Sequence, residues 1–182
     1  MHYYIDGYNL LFRLSWSRSQ GSLETTRRLL IEALDQKASL LGLTITIIFD
    51  APLQSEELRR SHFRTIEIIF TALGQTADTC LLEIFEQTRS PHAITLVSSD
   101  KPLQRKANAL GIRSQSVEEF LKLLERRSLK KQRIQKNKKI EKKVVTKSKK
   151  NNSKTLQSTA LPALFDLEKW EEIFENQLER EL

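Results

Sequence analysis

The chain has 182 residues, 39% of them hydrophobic, enough for one domain with an ordinary buried core and a remainder. Its formal net charge of +7 is unevenly spread: residues 1–126 carry 15 Lys/Arg against 15 Asp/Glu, residues 127–154 carry 13 against 1, and residues 155–182 carry 2 against 7. A single cysteine, Cys80, excludes an internal disulfide framework and a cysteine-based zinc site, and no apolar run approaches the roughly 20 residues needed to cross a bilayer.

His2, His62 and His92 show no metal-ligand spacing, and Asp6 interrupts any signal-like start. The expectation is a cytoplasmic protein with no membrane contact, in which a neutral domain carries a basic arm suited to a polyanion and an acidic end.

Tyr3, Tyr4 and Ile5 form strands readily, and Asp6-Gly7 predicts a sharp turn after them. A helix fits 23–41: Ser22 can cap it, Leu23, Leu30, Leu34, Ala38 and Leu41 recur at helical spacing, and Gly42 can end it. The run 43–49, LTITIIF, is almost wholly apolar, as in a strand covered on both faces. Pro52 breaks the chain, and a short helical piece is expected at 55–60, then a strand at 65–70. Further on, the pattern predicts a helix over 77–88, a strand over 94–97, a helix over 101–110 with Pro102 in its first turn, and a short strand over 112–114. Ser116 and Glu119 make a capping-box pattern before a helix over 117–127.

Alternating strands and helices predict a doubly wound, mainly parallel α/β sheet with helices on both faces. The expected division is a domain over 1–127, a lysine-rich arm over 128–160 that is disordered alone or partly helical, and an acidic amphipathic C-terminal helix over 161–182. In that last helix Leu167, Trp170, Phe174 and Leu178 share a face, which must pack on the domain or on a protein partner.

Doubly wound sheets bind ligands outside the carboxyl ends of their strands. Asp6, Asp50 and Asp100 each follow an expected strand, and Asp78 opens an expected helix. Each also has a simpler role: Asp6 and Asp50 as turn residues, Asp78 as a helix-dipole partner, Asp100 as a cap. Asn9 can tie down the first loop, and Ser98 and Ser99 can cap the following helix.

The motifs Ile5-Asp6-Gly7-Tyr8-Asn9-Leu10, Phe49-Asp50-Ala51, Thr76-Ala77-Asp78 and Val97-Ser98-Ser99-Asp100 with Gln104 occur in the order and approximate spacing of the YacP-like branch of NYN domains. The resemblance spans about residues 2–125 and implies a PIN-like fold and a metal-dependent endoribonuclease. It implies that Asp6, Asp78 and Asp100 hold Mg²⁺ or Mn²⁺, with Asn9 and Asp50 as polar support, and that hydrolysis leaves a 5′ phosphate and a 3′ hydroxyl. It also allows a role in RNA turnover or maturation linked to the ribosome. The chain departs from the family pattern at Thr79 and Leu82, where family members often carry acids. Glu83, five residues after Asp78, falls roughly 140° around a helix from it, so the resemblance implies one firmly held metal and a second held weakly.

Arg13, Lys101, Arg105 and Lys106 flank these acids and are candidate phosphate contacts, although a solvated basic face is the commoner role of such residues. In the arm, Lys130, Lys131, Lys138, Lys139, Lys142 and Lys143 are candidates for salt-dependent RNA binding without base recognition, since 128–154 contains no aromatic residue. A different class of function is a catalytically weak RNA-binding or ribonucleoprotein-docking protein on the same fold, motivated by Thr79 and Leu82.

Overall fold

The computed structural model describes residues 1–14, 22–50 and 59–147, with side chains as far as Lys136. Two compact units divide the chain, Met1–Lys122 and Leu123–Leu182. In the first, six strands form one sheet: β1 (His2–Asp6), β2 (Thr44–Phe49), β3 (Arg59–Phe63), β4 (Ile66–Phe70), β5 (Ile94–Val97) and β6 (Arg113–Gln115), in the order β3-β4-β2-β1-β5-β6. All neighbouring pairs are parallel except β3 with β4. The helices are α1 (Gly7–Arg13), α2 (Leu23–Leu41), α3 (Ala77–Glu86), α4 (Lys101–Ala109) and α5 (Val117–Lys147).

The apolar strands are buried on both faces, as their near-continuous hydrophobic runs require. Strand alternation divides the load. Ile48, Ile69, Ile94 and Leu96 pack with Cys80, Leu81 and Phe85 of α3 and Leu103 and Ala107 of α4 in one buried cluster, with Tyr4 against it. Tyr3, of the other parity in β1, meets Phe120 of α5 at a ring-centroid distance of 5.3 Å. Helices therefore cover both faces of the sheet.

Helix ends follow their local chemistry. Ser22 Oγ accepts from Thr25 N at 3.1 Å, and Gly42 takes the left-handed conformation (φ 65°) that a side chain would strain. Ser116 and Glu119 form a reciprocal capping box: Ser116 N donates to Glu119 Oε2 at 2.8 Å, and Glu119 N donates to Ser116 Oγ at 3.2 Å.

Two expectations are corrected. Gly7 begins a helix, α1, where a sharp turn was predicted, because Asp6 caps it by accepting from Asn9 N at 3.1 Å. Gly7 is required there by packing: a Cβ would collide with the Phe49 ring and lie 2.8 Å from the Ile48 carbonyl oxygen. Arg59 and Arg60, expected to end a short helix, instead open β3, an edge strand of sequence RRSHF paired antiparallel to β4. The rest of that expected helix lies outside the described residues.

In the second unit, the described part is the continuation of α5 to Lys147, so the basic arm begins as helix. The expected helix at 161–182 and the Lys138, Lys139, Lys142 and Lys143 side chains lie outside the described residues.

Candidate active site

From β1 the chain crosses to β2 and then β4 on one side, and later returns to place β5 on the other side of β1. The carboxyl ends of β1 and β5 are thus a switch point, where an open α/β sheet leaves a crevice. Asp6 is the last residue of β1, and Ser98-Ser99-Asp100 follows β5 directly.

Asp6 shares its strand parity with Tyr4 and so faces the layer of α3. It is only 9% exposed, and its carboxyl is pushed up to about 6, chiefly by burial and further by the Asp78 and Asp50 charges; bonds from Asn9 N and Ser98 oppose the shift. Ser98 Oγ donates to Asp6 Oδ2 at 3.5 Å.

Asp50, just after β2, accepts from Ala77 N at 2.6 Å. This bond satisfies one of the orphan N–H groups at the start of α3 and ties the next residue, Asp78, to the ends of the strands. Asp78 is also raised, first by burial and then by Asp100 and Asp50, while Lys106 opposes the rise. Asp6 is thus within electrostatic reach of Asp78 and Asp50, and Asp78 of Asp100 and Asp50. Among the described residues, no three His, Cys, Asp or Glu side chains are grouped closely enough to hold one ion directly.

The loops carrying these acids are fastened by side chains. Asn9 Oδ1 accepts from Ser99 N at 2.8 Å, joining α1 to the loop after β5. Asp100 N donates to Ser98 Oγ at 3.1 Å, and Gln104 Nε2 donates to the Ser98 carbonyl at 2.6 Å. Ser99 Oγ accepts from Val117 N and donates to Glu118 Oε2, both at 3.2 Å. Asp100 occupies the N-cap position of α4 without a side-chain cap bond, which leaves its carboxylate available to the site.

The sequence pattern offers Ser98 as a cap. It does receive the Asp100 amide, yet its hydroxyl also reaches Asp6, and no local pattern reveals a bond across 92 positions. Glu118 was not singled out for the site. Glu83 accepts from Gln75 Nε2 at 2.7 Å in an exposed position.

The basic candidates divide. Arg13 pairs with Glu118 at 3.4 Å, both substantially exposed. Lys101 Nζ donates to Gln104 Oε1 at 3.2 Å. Lys106 is exposed and acts on Asp78, and Arg105 is exposed on the same helix. Lys130 and Lys131 are exposed on α5. No helix among the described residues is long and apolar enough to cross a membrane.

No curated protein matches the chain. Two similar solved structures are of Rae1 (YacP) from Bacillus subtilis. One has a TM-score of 0.56 at 22% identity, over 81% of this chain and 87% of that one. The other, a tryptophan-to-leucine variant, has a TM-score of 0.54 at 22% identity, over 84% and 86%. At that identity the likeness shows the fold. The YacP-like NYN domain matches residues 3–172, well beyond the 2–125 that carried the sequence resemblance and through the basic arm. The chain therefore belongs to the YacP-like NYN domain family, a nuclease-type family of PIN-like fold.

Proposed function

We propose that this protein is a cytoplasmic Mg²⁺- or Mn²⁺-dependent endoribonuclease that hydrolyses RNA to 5′ phosphate and 3′ hydroxyl ends. The observation that carries this reading is Asp6: a buried carboxyl at the sheet's switch point, raised chiefly by its burial and further by the Asp78 and Asp50 charges. A group in that state gains most from a hard divalent ion.

The donor set fits such an ion by chemistry, since every acid offers oxygen. Mg²⁺ is usually held by one or two carboxylates, with waters and substrate phosphate completing its shell. Asp6, Asp78 and Asp100 would hold it, in part through its waters. When bound, it supplies a more acidic water and stabilises charge on phosphate oxygens.

The protein's own groups do the rest. Asn9 and Ser98 fix Asp6 and the loop after β5, while Asp50 sets the start of α3 and with it Asp78. Lys101 at the start of α4, Arg105 and Lys106 further along it, and Arg13 offer phosphate contacts that orient the RNA. The lysines of 128–160 add salt-dependent affinity, with the domain at 1–127 doing the cutting and 161–182 serving a protein contact. RNA turnover or maturation linked to the ribosome is the setting in which we place this activity.

A second reading, an RNA-binding protein of weak catalytic power, is favoured by Thr79 and Leu82 in place of acids on α3. One experiment separates the two: cleavage of a 5′-labelled, mixed-sequence single-stranded RNA with Mn²⁺, Mg²⁺ or EDTA, beside Asp6→Asn and Asp78→Asn. Metal-dependent products lost in both variants support the nuclease. Binding without cleavage by folded wild-type protein supports the second reading.

A further inference from the structure

We propose that Phe12, stacked on Tyr8, is a platform on which an unpaired base of the RNA stacks beside the acidic site. The proposal rests on the nuclease reading for its substrate class but not on catalysis itself.

Phe12 is 66% exposed and is the one aromatic among the large exposed hydrophobic side chains of the described residues. Isolated apolar residues at a surface need no explanation. Phe12, however, belongs to a built assembly. It lies four residues after Tyr8 on α1, hence on the same helical face, and their rings stack with centroids 5.9 Å apart and planes 21° apart. Tyr8 meets Phe49 edge-on at 5.3 Å, and Phe49 stacks on Phe70 at 5.8 Å. The Arg27 guanidinium lies over Phe70 at 5.0 Å and Phe49 at 5.8 Å and donates to Tyr8 Oη at 3.4 Å. The outermost ring is thus held from beneath by a half-buried aromatic and cationic stack.

Its location supplies the occupant. α1 is capped by Asp6, and the six residue steps from Asp6 to Phe12 cover about 9 Å along the helix axis, within reach of a nucleotide near the scissile phosphate. Arg13, next in the chain and exposed, adds a positive charge for the backbone of the same strand. Base stacking is sequence-tolerant because every base has a flat face, and it requires that base to be unpaired. With no aromatic residue in 128–154, the arm cannot provide this contact.

The test is fluorescence anisotropy with a labelled single-stranded RNA and with the same RNA annealed to its complement. Phe12→Ala, Phe12→Leu and Phe12→Trp are each made in full-length Asp6→Asn protein, so that nothing is cut. The expected result is roughly tenfold weaker single-strand binding for Phe12→Ala and Phe12→Leu, retention by Phe12→Trp, and no change for the duplex. Exposure of the side chain leaves folding intact, which thermal melting verifies. Unchanged single-strand affinity in Phe12→Ala, full affinity in Phe12→Leu, or an equal loss on duplex overturns the platform. Wild-type protein assayed in parallel for cleavage separates the two ideas. Cleavage with Phe12-independent binding removes the platform alone, whereas Phe12-dependent binding without cleavage upholds the platform and removes the nuclease.

Discussion

Asp50 accepts the Ala77 amide at 2.6 Å across 27 positions, so the carboxylate after β2 fixes the start of the helix that presents Asp78. Asp50 is therefore read as a positioning residue. Asp50→Ala removes the acceptor, with an expected cost of about 1 kcal/mol in stability, as for a lost helix cap. RNA cleavage should fall with it. Asp50→Asn keeps an acceptor oxygen and removes a charge that raises both Asp6 and Asp78, so its melting temperature should stay near wild type. Thermal melts and cleavage rates of the two variants check this, and equal behaviour would remove the positioning role.

Asp6 should make the metal-free protein less stable at neutral pH than its amide variant. Its folded carboxyl is pushed up to about 6 from an ordinary 3.8, so the native state holds the proton to higher pH than the unfolded chain. Stability from this group is fully present below about 4 and is lost as pH rises through about 6. The difference, about 2 pH units at 1.36 kcal/mol each, is on the order of 3 kcal/mol at pH 7. Asp6→Asn should therefore raise the metal-free melting temperature at pH 7, with little gain at pH 4, while abolishing cleavage. Adding Mg²⁺ should stabilise wild type and leave Asp6→Asn largely unmoved. A variant less stable than wild type at pH 7 would count against the burial argument.

Gly7→Ala should destabilise by about 1–3 kcal/mol through overpacking, since its Cβ meets the Phe49 ring and the Ile48 carbonyl. Phe49→Leu should rescue only part of that loss, because the carbonyl oxygen at 2.8 Å is fixed in the sheet. Chemical denaturation of the single and double variants measures the coupling; complete rescue would assign the whole clash to the ring.

Replacing Lys130, Lys131, Lys138, Lys139, Lys142 and Lys143 with Gln should flatten the salt dependence of single-stranded RNA binding. Each lost phosphate contact reduces the log–log slope by about 0.7, so six would reduce it by up to about 4. Anisotropy titrations across a range of KCl concentrations give the slope; an unchanged one would remove the arm from RNA binding.

The strands and helices legible from sequence were those whose cause is local. Thr44–Phe49 reads as a buried strand because it is apolar throughout, and α2 is bounded by the chemistry of Ser22 and Gly42. β3 escaped because RRSHF, an exposed edge strand, has no apolar alternation and takes its conformation from pairing with β4. α1 escaped because Asp6-Gly7 signals a turn wherever no tertiary contact decides otherwise. Asp6, Asp50 and Asp100 were visible as residues following strands, and Asp78 as one opening a helix. Their fastening was not, since Asp6 with Ser98, Asn9 with Ser99 and Asp50 with Ala77 are 92, 90 and 27 positions apart.

That fastening makes the site observable without any substrate. The amides of Asn9, Ala77, Ser99 and Asp100 each donate to a side-chain oxygen. Their hydrogen–deuterium exchange is governed by the closure of these loops, separately from the melting of the sheet. Four backbone positions thus form a clock for opening at the strand ends, and faster exchange at all four together would mark a molecule whose sheet is intact while its acids have come apart.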